Sequence, residues 1–370
     1  MPAPQPTVCP DENAISAFAD GVASSELRAQ IEAHIVTCAD CRELLSMLGR
    51  QPALADASSG GVVAAAGAEP TRIDAPAPEA VQAAPAEHQQ LVHGSRIKDT
   101  YVIERSVGAG GMGIVYEVKH QRLARPFALK LLSGRFSRSA EAVQRFRREA
   151  LISSRLKHAN IVDVTDFDHL PDGTPYLVME LLEGEDLSRR LSRVGKMQLD
   201  EVLDIVDQIA AGLDAAHAEH IVHRDLKPSN VFLSKVDGGE KVKLLDFGLS
   251  KLVDGEPTLT MSDATLGTAW YMSPEQADHQ SGKVGTRSDV FALGVMTFQM
   301  LAGERPFEGR SIPQVLFSVV HREPRALTQF RPDLPTVLSD IIARALAKAP
   351  AERPASAGAF ARALREAAMQ

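Results

Sequence analysis

Ile221-Val222-His223-Arg224-Asp225-Leu226-Lys227-Pro228-Ser229-Asn230-Val231-Phe232-Leu233 sets five ionisable or amide side chains between two apolar ends. They are His223, Arg224, Asp225, Lys227 and Asn230. Such a run reads as a loop carried on rigid flanks, where chemistry is usually placed. Sixteen residues after Asn230 comes Asp246-Phe247-Gly248, behind the strand-like run Val242 to Leu245. Asp225, Asn230 and Asp246 therefore offer two carboxylates and one amide from neighbouring loops. Hard oxygen donors of this kind suit Mg²⁺ together with phosphate.

Upstream, Gly108-Ala109-Gly110-Gly111-Met112-Gly113 follows the strand-like Tyr101-Val102-Ile103. A dinucleotide site would need a helix next and an acidic residue about 20 positions on. Ile114 to Val118 reads as a second strand instead, so the glycines form a hairpin. Glycine lets backbone N–H groups approach phosphate without a Cβ clash. Phe127-Ala128-Leu129-Lys130 reads as a third strand that ends in a lysine. Ala140 to Leu156 has helical spacing, with Glu149 nineteen residues beyond Lys130. Tyr176 to Leu182 reads as a buried strand running into a connection, and a helix from Asp200-Glu201 to His217 leads into the central loop.

The two loops, in this order and spacing, resemble the catalytic and metal loops of protein kinases. The resemblance runs from about residue 98 to 366. Gly110-Gly111-Met112-Gly113 with Tyr271-Met272-Ser273-Pro274-Glu275-Gln276 looks like the bacterial serine/threonine branch. It implies an α+β, bilobal fold: a β-rich small lobe over 95–179, a hinge at 180–183 and an α-helical large lobe over 184–368. It implies an ATP-dependent phosphotransferase acting on protein serine and threonine. Asp225 would orient the attacking hydroxyl and take its proton, and Lys227 would neutralise the moving phosphate. Asn230 and Asp246 would hold Mg²⁺. Lys130 would hold the α- and β-phosphates, placed by an ion pair with Glu149. Val107, Gly108, Ala109, Gly110, Gly111, Met112, Gly113, Val115, Ala128 and Phe232 would line the nucleotide. Met179 would gate the pocket behind the base, and the backbone of Glu180 and Leu182 would bond it.

The resemblance also implies supports. Arg224 wants an anion, which phosphorylation of 258–265 would supply; that segment offers Thr258, Thr260, Ser262 and Thr265, with Thr260 and Ser262 first. Thr268 would sit near Asp225 and Lys227. Ser273-Pro274-Glu275 stands where the family has Ala-Pro-Glu, and Arg353 is the expected partner of Glu275. Asp289 would bond the backbone at His223-Arg224.

The first 94 residues read differently. Residues 1–50 carry seven acidic and three basic groups, and 51–95 five and one, so the −8 net charge lies there. The remainder is neutral, which gives no basic footprint for nucleic acid. All three cysteines, Cys9, Cys38 and Cys41, lie in the first 41 residues. Leu27, Ile31, His34, Ile35 and Cys38 follow helical spacing. His34 and Cys38 share a face, Cys41 follows in a Cys-x-x-Cys turn, and Cys9 would fold back. Three thiolates and an imidazole make a closed structural zinc set, which would staple a module of 50 residues too small for much core. Buried structural cysteines and a redox-active Cys38–Cys41 pair are the alternatives. The stretch Cys9 to Leu45 looks like the zinc-binding domain of anti-sigma factors, which implies a sigma factor or another regulator as partner. Residues 51–94 are read as a flexible linker: 51–90 hold thirteen Ala and five Pro without an aromatic. No apolar run approaches a membrane span and no leader pattern is seen, so a soluble, cytoplasmic protein is expected. A catalytically silent scaffold and an anti-sigma-type binding protein are the competing function classes.

Overall fold

The computed structural model describes residues 28, 30–34, 91–109, 113–132, 134–137, 139–247, 266–278 and 281–369. The chain divides into two units, Met1–Gln89 and Gln90–Gln370. In the first, residues 30–34 are helical and Ile31 is buried. Cys9, Cys38, Cys41 and residues 51–90 lie outside the described residues.

The second unit opens with an antiparallel sheet. Its strands are β1 (Arg96–Ile97), β2 (Tyr101–Ala109), β3 (Gly113–His120), β4 (Pro126–Leu132), β5 (Val164–His169) and β6 (Pro175–Glu180), in the order β1-β2-β3-β4-β6-β5. Strand periodicity divides β4 between two cores. Phe127, Leu129 and Leu131 join Tyr101, Ile103, Tyr116, Val118, Tyr176 and Val178 on one face. Leu132 joins Leu177, Val164 and the helix residues Phe146 and Ala150 on the other. That helix, α1 (Ala140–Arg155), starts where the Ser139 hydroxyl accepts from the Ala142 N–H. The sequence places the lysine-bearing strand third; the structure makes it fourth, because Arg96–Ile97 pairs with Tyr101 and Val102. Two residues are too few to show a period.

The large lobe is helical: α2 (Leu187–Val194), α3 (Leu199–Ala218), α4 (Thr286–Ala302), α5 (Ile312–His321), α6 (Thr336–Ala345) and α7 (Ala357–Ala368). A three-stranded sheet, β7 (Gly184–Asp186), β8 (Val231–Val236) and β9 (Gly239–Leu244), lies with them in the order β7-β8-β9. α4 is buried nearly all round, from Val290 and Phe291 to Met300 and Leu301, so it has no polar face and forms the lobe's centre. α3 packs closely on β9: a Cβ on Gly212 would lie 2.9 Å from a Leu244 methyl. The architecture is α+β, with a β-rich small lobe and a helical large lobe. Among the described residues no helix is long and apolar enough to cross a membrane.

Candidate active site

Lys130 lies on β4, opposite Val115 of β3 and Leu177 of β6. It shares the sheet face of Leu132, which packs on α1, so Glu149 of that helix comes within reach. The Lys130 Nζ lies 3.2 Å from Glu149 Oε1 and 2.7 Å from Asp246 Oδ1. Burial alone would lower the ammonium's pKa, but the charges of Asp246 and Glu149 outweigh it and hold Lys130 firmly protonated. Burial and the negative Asp246 push Glu149 up to about 8 against the pull of Lys130. Burial likewise works against the Asp246 charge, yet the Lys130 charge wins and keeps its carboxyl below the usual range.

The central loop hangs from α4. The N–H groups of His223 and Arg224 each donate to the Asp289 carboxylate at 2.8 Å. His217, at the end of α3, places Nε2 2.8 Å from the same carboxylate. Arg224 takes a left-handed φ of +66°, a strained setting for a non-glycine residue. Gln276 steadies it by donating to the Arg224 carbonyl at 2.7 Å. The loop closes on itself through Asn230, whose amide donates to the Asp225 carbonyl at 2.8 Å and to its Oδ2 at 3.2 Å. The Lys227 ammonium lies 2.9 Å from Asp225 Oδ2 and donates to Thr268 Oγ1 at 3.0 Å. Asp246 is joined to this loop: the Leu245 N–H donates to the Asn230 carbonyl at 2.9 Å, and His223 Nε2 lies 3.0 Å from the Leu245 carbonyl. Asp246 itself has φ +45°. Lys130, Glu149, Asp246, Asn230, Asp225, Lys227 and Thr268 thus form one connected set, drawn from five separate stretches of chain.

The nucleotide-facing expectations divide. Val115 and Gly108 are half-buried and Val107 is exposed. Gly113 is glycine for a packing reason: a Cβ there would lie 2.2 Å from the Leu131 carbonyl oxygen, whereas one on Gly108 would meet nothing. Gly110, Gly111 and Met112, and the side chain of Ala109, lie outside the described residues. Ala128 faces Met179 across β4 and β6, and Phe232 of β8 faces Lys243 of β9. The Glu180 N–H donates to the Asp163 carbonyl at 3.0 Å. The Glu180 carboxylate accepts from Lys243 at 2.5 Å and from the Asp163 N–H at 2.8 Å. Leu182 is half-buried.

Behind the loop, Arg353 forks onto Glu275 at 2.7 and 2.8 Å, both side chains fully buried. Thr258, Thr260, Ser262 and Thr265 lie outside the described residues, as does Gly248. His34 lies in the described helical turn at 30–34. Sequence reasoning missed His217, Gln276, Gln208 and Lys243. Gln208 accepts from the Val242 N–H at 2.9 Å and from the Asn160 amide at 3.2 Å. Each is a polar residue within an otherwise ordinary helix or strand, and only the tertiary fold shows its partner.

The protein kinase domain model matches residues 101–364, and a zinc-finger model matches residues 12–42. The second match takes in His34, Cys38 and Cys41 and begins after Cys9. Serine/threonine-protein kinase PknA of Mycobacterium tuberculosis is 38% identical over 276 residues, spanning 73% of this chain and 62% of PknA. Serine/threonine-protein kinase pkn3 of Myxococcus xanthus is 38% identical over 259 residues, spanning 68% and 47%. The crystal structure of the Mycobacterium tuberculosis PknI kinase domain is similar at TM-score 0.60 and 32% identity, covering 75% of this chain and 100% of that one. The chain belongs to the protein kinase family. It covers less than two thirds of the length of these curated relatives.

Proposed function

We propose that the chain is an ATP-dependent serine/threonine protein kinase that moves the γ-phosphate of Mg-ATP to protein hydroxyls. The observation that carries this is the convergence on one ammonium and one amide. Lys130 gathers Glu149 and Asp246, while Asn230 ties the Asp246 loop to Asp225. Phosphoryl transfer needs positioned charge more than covalent chemistry. Lys130 holds the α- and β-phosphates. Asp225 aims the acceptor hydroxyl and receives its proton, and Lys227, anchored on Thr268, neutralises the transferring group. Asn230 uses its amide hydrogens on Asp225, so its oxygen is available to a cation, and Asp246 is 41% exposed. These two oxygen donors fit Mg²⁺, which when bound would neutralise phosphate charge. Met179, the Glu180 carbonyl and Leu182 frame the base, with Ala128, Val115 and Phe232 around it. Phosphorylation at Thr260 or Ser262 would pair with the half-buried Arg224, whose Nε has no hydrogen-bond partner among the described residues.

The zinc-finger match supports a second, regulatory role for the N-terminal module. Cys9, His34, Cys38 and Cys41 supply a donor set that suits a structural zinc. A sigma factor or another protein regulator is the partner class. Thiols held on zinc suit a reducing compartment, so we place the chain in the cytoplasm.

Calorimetry tests the nucleotide site. A non-hydrolysable ATP analogue should bind with Mg²⁺ present and about tenfold or more weakly without it, a difference of about 1.4 kcal/mol. Asp246→Asn should lose that dependence. Equal affinity with and without Mg²⁺ in the native chain would count against the assignment.

A further inference from the structure

Two residues beyond Thr268, the chain turns through Trp270 and Tyr271, both buried. The Tyr271 hydroxyl donates to Gln299 of α4 at 2.6 Å. Above them sits Arg305, its guanidinium carbon 4.9 Å from the centre of the Trp270 ring. Arg305 is half-buried, and its Nε is fully enclosed with no hydrogen-bond partner among the described residues. No carboxylate of a described residue lies within ion-pair distance of it. Its neighbour Arg325 is different: it pairs with Glu308 at 3.0 Å, lies 4.7 Å over Phe330 and donates to the Arg305 carbonyl. Among the described residues, Arg325 is therefore neutralised and Arg305 is left without a counter-charge.

Holding a cation half out of water without a counter-charge costs free energy that an incoming anion would recover. The aromatic face below offsets part of that cost and fixes the guanidinium plane, and a fixed fork suits carboxylate or phosphate. Gln299, which accepts from the Tyr271 hydroxyl, adds a neutral amide to this wall and no negative charge. We propose that Arg305 reads an anionic residue of the acceptor protein, a carboxylate or a phosphorylated side chain, next to the hydroxyl that is phosphorylated. The proposal rests on the phosphotransfer reading, because Thr268 joins this wall to Lys227 and Asp225. It names the substrate class: proteins whose acceptor serine or threonine has an acidic or already phosphorylated neighbour.

The test uses the full chain and fluorescein-labelled serine peptides. Each carries Asp, phosphoserine, Asn or Lys at one position, scanned along both flanks of the acceptor. Binding is read by anisotropy, and Trp270, the chain's single tryptophan, reports locally through its own emission. At one position, Asp or phosphoserine should bind about tenfold tighter than Asn and shift the Trp270 emission. Lys should bind more weakly than Asn. In Arg305→Gln the preference should fall to within about twofold, while Arg305→Lys should keep part of it. Equal affinities at every position, or a preference that survives in Arg305→Gln, would overturn the proposal; the Lys variant decides if the Gln variant does not fold. Asp against phosphoserine tells a carboxylate reader from a phosphate reader. Because this readout needs no ATP, an acid preference without phosphate transfer would sink the kinase reading alone.

Discussion

Lys130 is 12% exposed and carries two acid partners on one ammonium. Removing it leaves Glu149 and Asp246 facing each other without the positive charge between them. Lys130→Met should therefore keep the fold but lower the phosphotransfer rate by ~10²–10³. Circular dichroism melting and a phosphate-transfer assay on the same preparation would check both halves. At this scale the sequence was a fair guide to pairs and a poor one to triples. The kinase resemblance, laid on the strand that carries Lys130 and the helix that carries Glu149, implies the Lys130–Glu149 contact that the structure shows. The third member, Asp246, lies 116 residues from Lys130, and nothing local in either stretch signals that they meet. Gly113 carries a similar lesson. Its place in a glycine-rich hairpin suggests phosphate approach, but the cause visible in the structure is the Leu131 carbonyl.

α4 organises the large lobe through its first turn. Asp289 holds the central loop, and Ser288 donates to Glu275 at 2.7 Å, which brings the Glu275–Arg353 pair against the same helix end. Arg353 also donates to the carbonyls of Ala347, Lys348 and Arg287 and lies 4.9 Å over Phe291. Burial pushes the Glu275 carboxyl up, but hydrogen bonds from Arg353 and Ser288 outweigh it, and the net direction is down. The folded pKa thus lies below the unfolded one, about 4.3. The pair's stabilisation is present above that value and is lost as pH falls through the folded pKa. Glu275→Gln should cost about 3–5 kcal/mol at pH 7, because it leaves Arg353 buried and unpaired. The difference from the native chain should shrink steadily below pH ~4, as urea midpoints measured from pH 3 to 7 would show. An unchanged difference at pH 3 would contradict the assignment. Elements of this size were legible where period and length agreed. The helix from Leu199 shows it, while the helix after Asp289 is marked by an unbroken apolar run instead of a period. The two-residue β1 and the polar β5 lack the alternation that marks a strand.

At the scale of the whole chain, the acidic excess belongs to the first 95 residues and the kinase part is neutral. That division, with all three cysteines in the first 41 residues, makes the N-terminal unit separable by chemistry as well as by position. Cys38→Ser should remove bound zinc from the full chain, read by elemental analysis, since a closed four-ligand set tolerates the loss of a thiolate poorly. Zinc content equal to that of the native chain would exclude Cys38 as a ligand. Comparing phosphate transfer in the two preparations then shows whether the module regulates the kinase part. The most direct test of the central claim is transfer of label from γ-labelled ATP in the full chain and in Asp225→Asn. The account predicts Mg²⁺-dependent phosphoserine or phosphothreonine in the native chain, part of it within residues 258–265, and a near-complete loss in Asp225→Asn. Equal labelling of the two, or none in the native chain with an acceptor peptide present, would contradict it.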